Sequence, residues 1–353
     1  MIYYILPKIY SDNLILNPQE NNNELKICVS ESLLYHYNNI HKRIINTNEL
    51  INFEELKNNL NLNEYIFSND LFSKYNITSK FKSKTNIFYN FLEIITLLNI
   101  FDLYKHTNLN TLHFTKNNDT IECIRMVRKN YNDNFTYFDK IETDINEKEE
   151  YNFIFFDSEL YKTDDCNNDK YYILLIKILI IILKNQELYG SCIIKINEMF
   201  YKPVIDFLYI LSSMYEKIYI IKPNTSNITS YEKYIICTNF YTDESISNTY
   251  KNNFYNLLTF LKNKKEKIQS ILDFKIPCFF LTKIHDINII IGQQQLDTLD
   301  MIINLLKNKN KNKEEKIDLI KKNCMQKTIV CCEKNINYNN CLKKCENIFL
   351  TIK

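Results

Sequence analysis

Glycine is nearly missing from this chain: among 353 residues only Gly190 and Gly292 lack a side chain. Glycine is the default residue where backbone must turn with positive φ or approach a ligand closely. A glycine-rich phosphate or nucleotide loop of the usual kind is therefore excluded. Tryptophan is absent, and the last of only five histidines is His285. Cys324, Cys331, Cys332, Cys341 and Cys345 crowd the C-terminal end, but their spacing is irregular and no histidine follows them. Zinc sites favour paired cysteines or nearby histidines, so no metal site is expected.

A bias of charge is also lacking. The formal net charge is +2 and the isoelectric point about 7.9, too weak a balance to argue for nucleic acid by itself. Lysine runs at Lys262, Lys264, Lys265 and Lys267, and from Lys307 to Lys316, read as solvated helix faces or a linker. No stretch reaches the roughly 20 apolar residues of a membrane span. The strongest run, Tyr171–Leu183 (YYILLIKILIIIL), is interrupted by Lys177 and reads as a buried helix. No membrane association is expected. The opening MIYYILPKIY has no basic segment followed by a long apolar one, so no secretory leader is expected. With 11 cysteines in the chain, a reducing compartment and free thiols follow from that reading.

What is abundant supports a substantial core. Hydrophobic residues make up 45% of the chain, with 26 Tyr and 22 Phe, which argues against wholesale disorder. The middle of the chain alternates short apolar runs with longer helical stretches. Strands are expected at Thr111–Phe114, Phe135–Asp139, Asn152–Asp157, Ser191–Ile196, Lys217–Lys222 and Lys233–Thr238. Helices are expected at Ile87–Leu98, Ile121–Lys129, Asp169–Lys184 and Phe200–Tyr215. Continuous apolar strands joined by helices predict an α/β fold with a parallel sheet covered on both faces. The last two strands are separated only by the polar PNTSNITSYE, too short for a crossover helix. They are expected to pair antiparallel, as a hairpin closing the sheet. Beyond Thr249 the pattern turns helical in NNFYNLLTFLKN and QLDTLDMIINLLKN, with the piece IPCFFLTKIHDINIII between them expected to be non-helical.

Three polar residues lie at or near strand ends, where an open α/β sheet places its site. Asp157 ends NFIFFD, Lys195 lies near the end of SCIIKI, and Glu232 leads the last strand in SYEKYIIC. Each has a bland alternative: an acid at a strand end often caps a helix, and a lysine there often only snorkels.

Taken in order, these residues resemble a known pattern. Tyr189–Phe240 looks like the FtsJ-like RNA 2′-O-methyltransferase family. Its pattern is a Gly, a strand carrying a catalytic Lys, a helix, a strand ending in Lys-Pro, a Ser-containing turn and a Glu-led strand. Gly190, Lys195, Lys222, Pro223, Ser226, Glu232 and Tyr234 all match. MIYYILP, LNLNEYIF (Leu60–Phe67) and QKTIVCCEKNIN (Gln326–Asn337) are similar to segments flanking this domain in the version found in large DNA viruses. The resemblance implies a Rossmann-like class I methyltransferase sheet over 80–249, an N-terminal accessory region over 1–79 and a mostly helical C-terminal region over 250–353.

It further implies S-adenosylmethionine as cofactor, capped mRNA as partner, and a place in the host cytoplasm or the virion. Asp157, Lys195 and Glu232 match three members of the family's Lys-Asp-Lys-Glu tetrad. A lysine between carboxylates can orient a ribose hydroxyl and stabilise the developing alkoxide. The cofactor would lie along the turn after the first strand of the domain, at Thr115, Asn117 and Asp119. Asp139 stands where an acid commonly binds ribose hydroxyls, although capping a turn is equally ordinary there.

The pattern also breaks. In Thr85–Ile94 (TNIFYNFLEI) the first tetrad lysine is replaced by Asn90 and a nearby arginine position by Asn86. Lys82 and Lys84 would lie one and a half to two helical turns from Asn90. The glycine-rich cofactor turn of the family is TKNNDTI here, Thr115–Ile121. Asn117, Asn118 and Asp119 tolerate left-handed backbone, so a turn can survive, but each Cβ narrows the cleft. The arginine usual after the Lys-Pro strand is Asn227, which should weaken phosphate contact. The expected function is thus a family member weakened or inactive in catalysis, acting as a subunit or scaffold with a viral mRNA-processing protein. An active cap methyltransferase and a structural virion protein are the alternatives.

Overall fold

The computed structural model describes residues 3–10, 16–21, 25, 27–45, 85, 87–143, 149–158, 168–242, 244–262, 267–307, 315 and 318–319. In chain order its elements are β1 (Tyr3–Leu6), β2 (Leu16–Asn21), α1 (Glu31–Ile45), α2 (Ile87–Leu98), β3 (Asn110–Phe114), α3 (Asp119–Val127), β4 (Asn134–Phe138) and β5 (Tyr151–Asp157). Then follow α4 (Asn168–Asn185), β6 (Gln186–Ile196), α5 (Lys202–Met214), β7 (Tyr215–Ile221), β8 (Lys233–Phe240), α6 (Glu244–Lys262), β9 (Lys267–Leu272) and α7 (Cys278–Lys307). Segments 60–67 and 326–337, Lys82, Lys84, Asn86 and the C-terminal cysteines lie outside the described residues.

Seven strands form one sheet in the order β1-β7-β8-β6-β5-β3-β4. β4, β3, β5 and β6 run parallel, while β8 pairs antiparallel with both β6 and β7. The expected hairpin of β7 and β8 is present, but it does not close the sheet. β8 folds back between β6 and β7, and β1 then pairs antiparallel with β7 as the outermost strand. The sequence signal for the hairpin was its short turn, which fixes antiparallel pairing but not the side on which the returning strand docks. A second, two-stranded sheet joins β2 to β9, linking the start of the chain to its C-terminal region. Neither strand was expected.

Strand alternation sends successive side chains to opposite faces. In β5, Ile154 and Phe156 face the core shared with α4 and α5, whereas Phe153 and Phe155 face the core shared with α2 and α3. α4 is buried almost throughout, with Leu174–Ile176 and Ile178–Ile182 fully enclosed, as its apolar run predicts. α2 ends at Asn99, which adopts φ 49°, and the Ile100 amide returns to the Ile95 carbonyl. This left-handed cap is a role asparagine accepts when glycine is unavailable.

The piece IPCFFLTKIHDINIII is a correction. From Cys278 onward it is helical and continuous with the following stretch as α7. Phe280, Ile284, Ile287, Asn288, Ile291, Gln295, Leu299 and Ile302 are all buried, a spacing of three to four that runs through the whole helix. Burial of that stripe overrides the weak helix propensity of the β-branched run. Among the described residues no helix is long and apolar enough to cross a membrane.

Candidate active site

Register and alternation together build the site. In the parallel pair β5/β6, Asp157 stands opposite Lys195, and in the antiparallel pair β6/β8, Lys195 stands opposite Tyr234. Asp157 has the parity of Phe153 and Phe155, and Lys195 that of Ile193, so both face α2. β8 runs against its neighbours, so its amino end, preceded by Glu232, lies at the carboxyl ends of β5 and β6. The three expected residues therefore converge. The Lys195 ammonium lies 3.4 Å from Glu232 Oε2 and 3.8 Å from Asp157 Oδ1. Its side chain is 3% exposed, with Asp157 at 5% and Glu232 at 12%. An ammonium so removed from water needs such carboxylates, because an uncompensated buried charge is strongly destabilising.

Asn90 occupies the fourth corner, from α2. Its amide nitrogen donates to Glu232 Oε1 at 3.0 Å and to the Tyr234 hydroxyl at 3.2 Å, and its carbonyl accepts from the Thr225 hydroxyl at 2.8 Å. Tyr234 in turn donates to the same Glu232 oxygen at 3.1 Å. The asparagine thus supplies hydrogen bonds but no positive charge. One turn along the same helix face, Glu93 accepts from the Asn224 and Thr225 backbone amides, the Asn224 side-chain amide and the Thr225 hydroxyl. That carboxylate fixes the segment after Lys222-Pro223. Glu93 was not singled out from sequence, although its spacing of three from Asn90 puts both on one face.

Two further lysines hold the segment leading to Glu232. Lys222 donates to the carbonyls of Ser230 at 2.7 Å and Glu232 at 3.0 Å, and Lys233 to that of Tyr231 at 3.1 Å. Burial, then the neighbouring Lys233 charge, pulls the Lys222 pKa down to about 7 against the opposing pull of Glu232. Burial likewise lowers Lys233 to about 8, with Glu198 pulling upward. Glu198 is raised by its own burial and eased by Lys233. From the other side, Gln295 of α7 donates to the Ser230 carbonyl, and Tyr37 of α1 packs its ring 4.8 Å from that of Tyr231. The terminal helices therefore brace the loop that carries Glu232. Nothing in the local pattern announces Lys233, Glu198 or Gln295, since their partners are distant in sequence.

The residues expected along a cofactor separate into two groups. Thr115 and Asp119 are each 1% exposed. The Thr115 amide donates to the Phe138 carbonyl, and the Asp119 carboxylate accepts from the Thr85 hydroxyl. The Asn117 amide leans back on the Thr115 hydroxyl at 3.5 Å. The turn forms without using the left-handed backbone that its asparagines tolerate: Asn118 has φ −81°, and no described residue from Thr115 to Asp119 has positive φ. This corrects the reason for its survival; an ordinary right-handed turn suffices. Asp139 is exposed at the carboxyl end of β4. It fits the hydroxyls of a ribose, but the methionine end of S-adenosylmethionine does not fit Thr115 and Asp119, whose surfaces are already used within the fold.

The chain matches no family model and no curated protein.

Among the described residues no cluster of His, Cys, Asp and Glu is arranged to hold a metal. Asn227, expected to have replaced a phosphate-binding arginine, accepts from the Thr229 amide and hydroxyl and so shapes its own turn. Gly190 has a structural role. A Cβ there would lie 2.9 Å from the Asn152 carbonyl and 2.8 Å from that of Glu187, in the irregular stretch where β6 shifts register against β5.

Proposed function

We propose that this chain is an FtsJ-like RNA ribose 2′-O-methyltransferase relative that has lost methyl transfer and serves as an RNA-binding subunit or scaffold in mRNA processing. The Asn90 amide on Glu232 carries the reading. A ribose hydroxyl must lose a proton from a group of very high pKa, and cations clustered around it supply most of the stabilisation. Here one corner of the cluster is neutral, while Asp157 and Glu232 retain two carboxylates against Lys195. The closed surfaces of Thr115 and Asp119 support the same conclusion, since they leave the methionine end of the cofactor without a seat. Capped mRNA as partner and a viral mRNA-processing complex as setting come from the resemblance.

One observation favours the active-enzyme alternative: Lys195 stays between its two carboxylates. In that reading Lys195 orients the hydroxyl and stabilises the alkoxide, and Asp157 and Glu232 hold its charge in place. Calorimetric titration with S-adenosylmethionine and S-adenosylhomocysteine separates the two. No heat of binding at millimolar ligand is expected, together with copurification of a polymerase or capping protein. Micromolar binding followed by methyl transfer to capped RNA would overturn the proposal.

A further inference from the structure

At the end of the sheet opposite Lys195 lies a crevice of about 240 Å³, between the last turn of α3 and the start of β4. Arg128 forms its structural wall. Its guanidinium donates to both Asp133 carboxylate oxygens and to the carbonyls of Tyr104 and Thr107, at 5% exposure. Its plane also lies 4.3 Å from the centre of the Tyr131 ring. The one carboxylate lining the crevice, Asp133, is thereby neutralised. Arg125 and Lys129 line the same crevice, are exposed, and have no ion pair among the described residues. The Arg125 guanidinium carbon lies over the Phe135 ring, 4.9 Å from its centroid, so the cation is backed by an aromatic ring.

Basic residues in a last helical turn commonly complement the helix dipole. In α3 that residue is Arg125, since the Arg128 charge is spent on Asp133. Beyond that role the crevice gathers two cations without an ion pair among the described residues, an arginine beside an aromatic ring, and Asn132. Phosphate is held by Arg and Lys, bases stack on guanidinium planes and aromatic rings, and an amide reads base edges.

We infer that this crevice is a nucleotide subsite, taking a phosphate on Arg125 and Lys129 and the adjoining base against the Arg125–Phe135 pair. Its volume is below the roughly 300–1,000 Å³ of sites that enclose a whole ligand, so a nucleotide enters it in part and its flanking chain stays outside. That suits one unit of a single-stranded RNA better than a free nucleotide. The inference is independent of the Asn90 site, which lies at the other end of the strands.

The test is fluorescence anisotropy of the full chain with a 5′-phosphorylated octauridylate, competed by UMP and by inorganic phosphate. Arg125→Gln with Lys129→Gln, both exposed, should weaken oligonucleotide binding at least tenfold. Loss of the one phosphate these two cations hold should flatten the log–log salt dependence by about 0.7. Phe135→Leu keeps the cations and should weaken the oligonucleotide several-fold while leaving phosphate competition unchanged. UMP competing as strongly as the oligonucleotide assigns the subsite to a free nucleotide, and oligonucleotide binding alone assigns it to RNA; either supports the inference. Unchanged binding in the double variant, no oligonucleotide binding by the wild-type chain, or displacement of the oligonucleotide by inorganic phosphate at the concentrations at which UMP displaces it overturns it. Cofactor titration of the unaltered chain reads the methyltransferase proposal separately.

Discussion

The side-chain amide of Asn90 donates to Glu232 at 3.0 Å, across 142 residues of sequence. It ties α2 to the start of β8 and brings no charge of its own to the corner beside Lys195, which lies between Asp157 and Glu232. A neutral asparagine with its amide donating twice and its carbonyl accepting once is a stable solution for the corner.

Removing that amide should therefore cost stability. Asn90→Ala deletes the two bonds donated to Glu232 and Tyr234 and one of the two acceptors of the buried Thr225 hydroxyl, which keeps Glu93. Leaving a buried polar group unsatisfied costs about 1–3 kcal/mol. Urea denaturation should show a loss of about 2 kcal/mol; a loss below about 0.5 kcal/mol would mean that water replaces the amide freely.

Glu93 should be the more sensitive of the two. Its carboxylate accepts from four groups of Asn224 and Thr225, and bonds to a charged acceptor contribute about 1.5–3 kcal/mol each. In Glu93→Gln one acceptor oxygen becomes an NH2 that faces donors. A destabilisation of about 2–4 kcal/mol is expected by chemical denaturation, with faster amide exchange at Asn224 and Thr225. Unchanged exchange at those amides would contradict the assigned bonds.

Lys222 sets a pH dependence. An unfolded lysine titrates near 10.4, whereas the folded group is lowered to about 7, chiefly by burial. Between those values the unfolded chain binds a proton that the folded chain has released, so stability rises with pH there. The slope from one such group reaches about 1.4 kcal/mol per pH unit. Below pH 7 both states are protonated and its contribution is level. Lys233, lowered to about 8, acts with the same sign over a narrower window. Stability measured in urea from pH 7.5 to 9.5 should climb less steeply in Lys222→Met than in the wild type, whatever the absolute offset. Equal slopes would place the Lys222 ammonium in water.

The two glycines should differ sharply on replacement by alanine. At Gly190 the new Cβ meets backbone oxygens of Glu187 and Asn152 within 2.9 Å, which cannot yield without moving strands. A loss of about 3 kcal/mol or failure to fold is expected, since even milder overpacking costs about 1–3 kcal/mol. At Gly292, inside α7, the neighbours are side-chain atoms of Leu33. That side chain can rotate, and alanine gains up to about 1 kcal/mol of helix propensity. Thermal melts should put Gly292→Ala within about 1 kcal/mol of the wild type; equal losses at both sites would refute the distinction.

Much of the α/β core was legible because its signals are local. β5 is a run of aromatic and aliphatic residues ended by Asp157, and α2 was located to the residue by its continuous apolar run. Asp157, Lys195 and Glu232 were placed together from their positions at or near strand ends and from the family resemblance. The terminal regions were less legible. α7 was split in two, because INIII has the composition of a strand and shows itself helical only through the burial of every third or fourth residue.

The sequence by itself determined the strands and helices of the central α/β region, which of their side chains share a face, and that no glycine loop could cradle a phosphate. Those properties follow from steric periodicity, from apolar spacing and from the absence of a residue type. Tertiary structure alone decided that β8 inserts between β6 and β7, that β1 takes the sheet edge, and that β9 pairs with β2. It also decided that Asn90 closes on Glu232 and that Gln295 braces the loop before it. These last two contacts join residues 142 and 65 positions apart. Their free energy depends on which surfaces meet once water is excluded, and no local window of sequence contains both partners.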